Sequence, residues 1–173
     1  HEEPRMDRPT TPTTPPAPPV QVVAGENSTL EGAPPALAVK APRNNQKIKR
    51  GDVSIRATLR NWELGADPGN HVHVIVDNEP YIAIRDLSAP INLNQIMRDN
   101  LQTELAPGNH VVRMFPSRGH HESVKVPGAF AMFAFEYQSP TEGFAFDARA
   151  PLLTYSRPKG CNTAGERVML DFF

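Results

Sequence analysis

Six histidines are the side chains of this sequence best suited to chemistry. Two of them stand two positions apart in His71-Val72-His73-Val74-Ile75-Val76. Successive side chains of a strand point to opposite faces, so His71 and His73 project from the same face. His110 opens a second apolar run, His110-Val111-Val112-Arg113-Met114-Phe115. If the two strands are neighbours, His71, His73 and His110 bring three imidazoles together. Three imidazoles suit copper or zinc, with nitrogens roughly 2 Å from the ion. The competing reading is ordinary half-buried packing, each ring bonded to a backbone carbonyl, and on sequence alone that reading is preferred. His120 and His121 fall in a loop beside Glu122. An amine–imidazole brace at His1 would need a rigid first residue, which a Pro-rich start does not offer.

Nucleophilic catalysis has less support. Ser123 follows His121 and Glu122, but adjacent residues on an extended chain point apart and make no triad. There is no Gly-x-Ser-x-Gly and no phosphate-cradling loop. Cys161 is the single cysteine, so no disulfide forms within the chain and no Cys-His-Met copper set is available. The reading is therefore not an enzyme.

The elements that must position the histidines are strands. Val53-Ser54-Ile55-Arg56-Ala57-Thr58-Leu59 alternates apolar with polar, the period of a half-buried strand. Its parity turns Val53, Ile55, Ala57 and Leu59 inward. The pattern predicts strands over 53–60, 71–76, 109–115 and 129–137, with short strands at 37–40 and 81–84. Asp77-Asn78 closes a hairpin after the His-bearing strand. Residues 42–46 read as a loop. Leu93 to Asn100 reads as a short helix or an Asn-rich loop. Trp62, the one tryptophan, reads as a core plug between sheets. Arg118 either braces Asp77 or Glu79 or stands in solvent. Several short strands with turn chemistry between them predict an all-β fold, an Ig-like antiparallel β-sandwich.

Two appendages flank the sandwich, expected at 37–139. Residues 1–36 form a Pro/Thr/Ala/Gly arm whose missing amides predict extended polyproline-like chain. Val20, Val22, Val23 and Leu30 are its apolar anchors. Residues 140–173 echo the opening of the domain: a short strand, a Pro-containing bend, then Gly-acidic into a second strand. This two-strand extension reads as the start of a second unit. Val168, Leu170 and Phe172 share one parity, and Met169, Asp171 and Phe173 the other, so its last strand is expected to be buried on both faces. Leu170, Phe172 and Phe173 join the arm's anchors as expected partner contacts.

Charge is balanced, 18 Lys+Arg against 19 Asp+Glu in 173 residues, which indicates no nucleic-acid surface. No apolar run reaches the roughly 18 residues of a membrane helix. The missing initial Met reads as a processed or trimmed N-terminus, with a removed secretory signal preferred.

Four stretches carry a resemblance. They are His71 to Tyr81; Leu105-Ala106-Pro107-Gly108-Asn109-His110; Phe115-Pro116-Ser117-Arg118 with His121-Glu122-Ser123; and Pro151 to Gly160. Over residues 36–173 the chain resembles a family of exported bacterial Ig-like proteins, many of them lipoprotein-like and of unassigned function. The resemblance implies a sandwich fold, an exported or periplasmic location and no activity. Members often continue beyond this length, which fits a truncated second unit. The expected role is a non-catalytic accessory or structural subunit docked on a larger, membrane-bound assembly, such as a respiratory or photosynthetic complex. Contact with the membrane would come only through a partner or an N-terminal anchor. The alternative is a copper- or zinc-binding or delivery domain using the strand histidines; otherwise no cofactor is expected.

Overall fold

A computed structural model describes residues 19–138 and 146–173. The prolines before residue 19 and the expected boundary at 139/140 lie outside the described residues. The fold is mostly β, with one short helix.

The largest sheet has five strands in the order β2 (Gln46–Ile48), β8 (Ala131–Tyr137), β7 (Gly108–Ser117), β4 (His71–Val76) and β5 (Ile82–Ile84). A second sheet orders β1 (Ala36–Ala41), β3 (Ser54–Arg60) and β6 (Ile91–Asn92). Helix α1 (Leu93–Leu101) follows β6, and β9 (Tyr155–Arg157) pairs with β10 (Asp171–Phe172). The four main predicted strands are therefore present, as is the helix. Asn92 caps that helix, its side chain accepting from the Gln95 amide.

Not every pairing is antiparallel. β2, which falls where a loop was expected to end, runs parallel to β8. Asn44 and Asn45 seize the edge of β8 just before it: Ala134 N donates to Asn44 Oδ1, and Asn45 N donates to Ala134 O. The large sheet is mixed for that local reason.

The two larger sheets share one core. Val53 and Ile55 are fully buried against Val72, Val74, Val112, Met114 and Phe135, and Ala57 and Leu59 pack at its margin. The expected parity of β3 holds. Trp62 is not part of this core. It is half-buried at the surface, with the Arg118 guanidinium 5.4 Å from its ring centre. Leu64, two residues on, packs against the core in its place.

Every residue of β4 is buried. Val72, Val74 and Val76 face the shared core. His71, His73 and Ile75 face the opposite side, where Tyr81, Phe115, Phe130 and Phe173 gather. The β9–β10 hairpin reaches this second side of the sheet. Ser156 bonds His73, and Asp171 accepts from Ser123 Oγ at 2.9 Å and Lys125 Nζ at 2.7 Å. The two-strand extension thus covers the outer face of the large sheet.

Within the single chain, the tail's last strand is covered on one side. Phe173 is committed to its own chain, its ring centre 4.8 Å from Phe130 and 5.5 Å from Phe115. Leu170 and Phe172 are half exposed, 54% and 50%, so this chain by itself leaves the other face of the last strand open. A two-residue strand has one inner position, and Asp171 takes it. In the arm, Val20, Val22 and Val23 are exposed and Leu30 is half-buried, without regular structure. No helix among the described residues is long and apolar enough to cross a membrane.

Candidate metal centre

Antiparallel pairing decides which histidine joins His71 and His73. β4 pairs with β7 so that His71 lies opposite Ser117 and His73 opposite Phe115. The start of β4 therefore meets the end of β7, and the loop leaving β7 is carried back over His71. That loop holds His121. His110 is the third residue of β7, five residues before Phe115, about 17 Å away at 3.4 Å per residue. It also has the opposite parity. The expected triad His71, His73 and His110 does not form. His110 instead bonds Asp77 Oδ2 at 2.8 Å through Nδ1 and the Ala106 carbonyl at 2.7 Å through Nε2.

His121 completes the set. It occupies a tight loop closed by a Ser117–Ser123 bridge and by bonds from Arg118 N to Glu122 O and His121 N to Arg118 O. Its φ of 69° is left-handed, which turns the ring inward from the loop. Gly119 lets this loop lie against the 67–70 turn, because a Cβ there would overlap the Pro68 carbonyl oxygen. Two further braces hold the loop from outside. Ser28 of the arm donates its amide and hydroxyl to Glu122, at 2.8 and 2.6 Å. Arg118 donates to the Thr29 carbonyl at 3.1 Å, so it braces the arm rather than Asp77 or Glu79.

His71 Nε2 lies 2.9 Å from His73 Nε2 and 3.1 Å from His121 Nδ1. The donor atoms of all three lie within 4.8 Å of one another. His71 Nδ1 is 3.0 Å from the Gly69 carbonyl oxygen. A carbonyl only accepts, so His71 Nδ1 carries the proton and its Nε2 carries the lone pair. One in-plane lone pair takes one good hydrogen bond, yet two ring nitrogens face it. Two arrangements resolve that competition: the Tyr81 hydroxyl, 3.2 Å away, donates to His121 Nδ1, or a cation is shared among the three nitrogens. Bonds of about 2.0–2.1 Å to three imidazoles separate the nitrogens by roughly 3.3–3.6 Å. Small ring rotations reach that spacing from the distances here.

The surroundings keep the rings neutral. Burial pulls His71 below its ordinary value. Burial, reinforced by His71, His121, Arg157 and Lys159, takes His73 down to about 2. Burial, then Arg157 and His71, takes His121 to about 4. Neutral rings offer lone pairs. Ser156 Oγ meets His73 Nδ1 at 3.0 Å and orients that ring from its far side. Tyr81 stacks on His73, centroids 3.8 Å apart and planes 9° from parallel, and its hydroxyl stands 3.2 Å from His121 Nδ1.

Sequence reasoning missed His121, Tyr81 and Ser156. For His121 a signal was available: in an antiparallel pair of His-bearing strands, the residues after Ser117, not those before Val111, must return to His71. For Ser156 there was none, because 83 residues separate it from His73. Searches of protein-family models, curated proteins and solved structures found no match to this chain.

Proposed function

We propose that this chain is a metal-binding domain of Ig-like sandwich type that holds one copper or zinc ion through His71, His73 and His121. The carrying observation is the His71 Nε2 lone pair, faced by two further ring nitrogens at 2.9 and 3.1 Å inside a buried cluster. Packing alone can satisfy these rings, with the Tyr81 hydroxyl donating to His121 Nδ1, but it does not require three lone-pair-bearing nitrogens to converge on one point, which a metal ion does. No reaction is assigned; the role is binding or delivery, in an exported protein. The test is metal content after dialysis of the full chain against micromolar copper or zinc. One ion per chain is expected in the parent and in His110→Ala, and none in His71→Ala or His121→Ala. A metal-free parent would return the cluster to a packing role.

A second reading has its own observation. Val20, Val22, Val23, Leu152, Leu153, Leu170 and Phe172 leave apolar side chains exposed on the arm and tail. Such surface suits docking on another protein, as in an accessory subunit of a membrane-bound assembly. Weaker recovery of an arm-deleted form with the membrane fraction would support it, and equal recovery would count against it.

A further inference from the structure

We propose that the ion held by His71, His73 and His121 is monovalent copper, selected over divalent ions by the charge of the site's surroundings. This rests on the metal reading above. The three donors are neutral nitrogens. No carboxylate and no thiolate joins them among the described residues. Two cations stand one ring layer away. Lys159 Nζ lies 4.5 Å and Arg157 Cζ 5.8 Å from the centre of the Tyr81 ring, which is itself stacked at 3.8 Å on His73. Neither cation has a carboxylate within ion-pair distance among the described residues.

The nearby acids are already committed. Asp67 pairs with Arg85 at 2.7 Å, Glu122 is bonded by Ser28 and His120, and Asp171 is held by Lys125 and Ser123. His71 and His73 are 0% exposed, so water does little to offset the charge of an ion. The cost of placing an ion in such a medium grows with the square of its charge, and repulsion from Arg157 and Lys159 grows with its first power. A divalent ion pays both penalties more heavily. Three imidazoles in one cluster also satisfy a three-coordinate monovalent copper ion, whereas zinc normally takes a fourth ligand.

The experiment measures two affinities on the full chain. Monovalent copper is competed anaerobically against bicinchoninate, and zinc against a chromophoric chelator. The parent is expected to hold monovalent copper at least about tenfold more tightly than zinc. The double variant Arg157→Gln, Lys159→Gln should lower the preference for monovalent over divalent copper by about tenfold, a fall of about 59 mV in the one-electron midpoint. The charge-conserving pair Arg157→Lys, Lys159→Arg should retain the parent's midpoint, which separates charge from packing. Zinc bound as tightly as monovalent copper, or a midpoint unmoved by the glutamines, overturns this proposal while the metal site stands. No uptake of either ion by the parent overturns the metal reading itself.

Discussion

The β4–β7 ladder has a histidine device at each end, one set beside an acid and the other beside cations. At the hairpin end, His110 faces the Asp77 carboxylate at 2.8 Å. Burial pulls His110 down, but hydrogen bonds to Asp77 and to the Ala106 carbonyl outweigh it and leave the ring above its ordinary value. At the other end, His71, His73 and His121 face one another, and burial acts with nothing to oppose it at His73. One end is a charged clasp closing a hairpin; the other is a set of neutral donors. Residue type is shared, and the neighbours push the rings in opposite directions: an acid and a carbonyl raise His110, while deeper burial and nearby cations lower His73.

The largest effect should come from removing the floor of the neutral end. Phe115 is fully buried and meets His73 edge-on at a ring distance of 5.3 Å. Phe115→Ala should cost roughly 3–5 kcal/mol in denaturant unfolding and loosen the Phe173 contact as well. A cost below about 1 kcal/mol would mean that the outer face of the sheet is not a packed core.

Gly119→Ala should act on the site and spare the fold. The new Cβ would overlap the Pro68 carbonyl, so the loop must lift and carry His121 away from His71. Loss of metal affinity is expected with little change in melting temperature. Unchanged affinity would show that His121 is dispensable.

At the charged end, Asp77→Asn should remove a pH-dependent contribution. His110 is raised in the folded state, so its part of the stability is present below its ordinary 6.5 and lost as pH rises through the folded value. For Asp77, burial raises the carboxyl, but bonds from His110 and the Val111 amide outweigh it and leave it below 3.8; its part is present above 3.8 and lost as pH falls through the folded value. The clasp should therefore contribute most between those two limits. The expected loss there is about 1 kcal/mol, reduced from the usual charged hydrogen bond because Asp77 is partly exposed. Parallel stability–pH curves for parent and variant would remove the clasp.

The smallest effect is expected for Ser28→Ala. The hydroxyl bond to Glu122 is lost while the backbone amide bond remains, both lie near the surface, and the cost should be under about 1 kcal/mol. A large fall in melting temperature would show that the arm is part of the folding unit.

Much of the strand layout is legible in residue order. The alternation in β3 sets its inward face, and the β-branched run from His71 to Val76 forms a strand with those bounds. The Asp77-Asn78 turn and the pairing of His71 with His73 on one face follow from local rules alone. These are decided by neighbours within a few positions, whose steric and hydrogen-bonding preferences are written in the sequence. Which third histidine meets them is not local. It depends on the direction and register of β4 against β7, which bring the residues after Ser117 to His71 and leave His110 at the far end of the ladder on the other face. The burial of β4 on both faces is likewise tertiary, because the covering hairpin lies about 80 residues away and reaches the sheet through Ser156 and Asp171. The pattern of Trp62 offers the same lesson in reverse: an aromatic residue suited to a core stands outside it, while Leu64 two residues on packs against the core. Local residue order places the main strands and the donors they carry, whereas the convergence of those donors is set by pairing and packing between distant segments rather than by spacing along the chain.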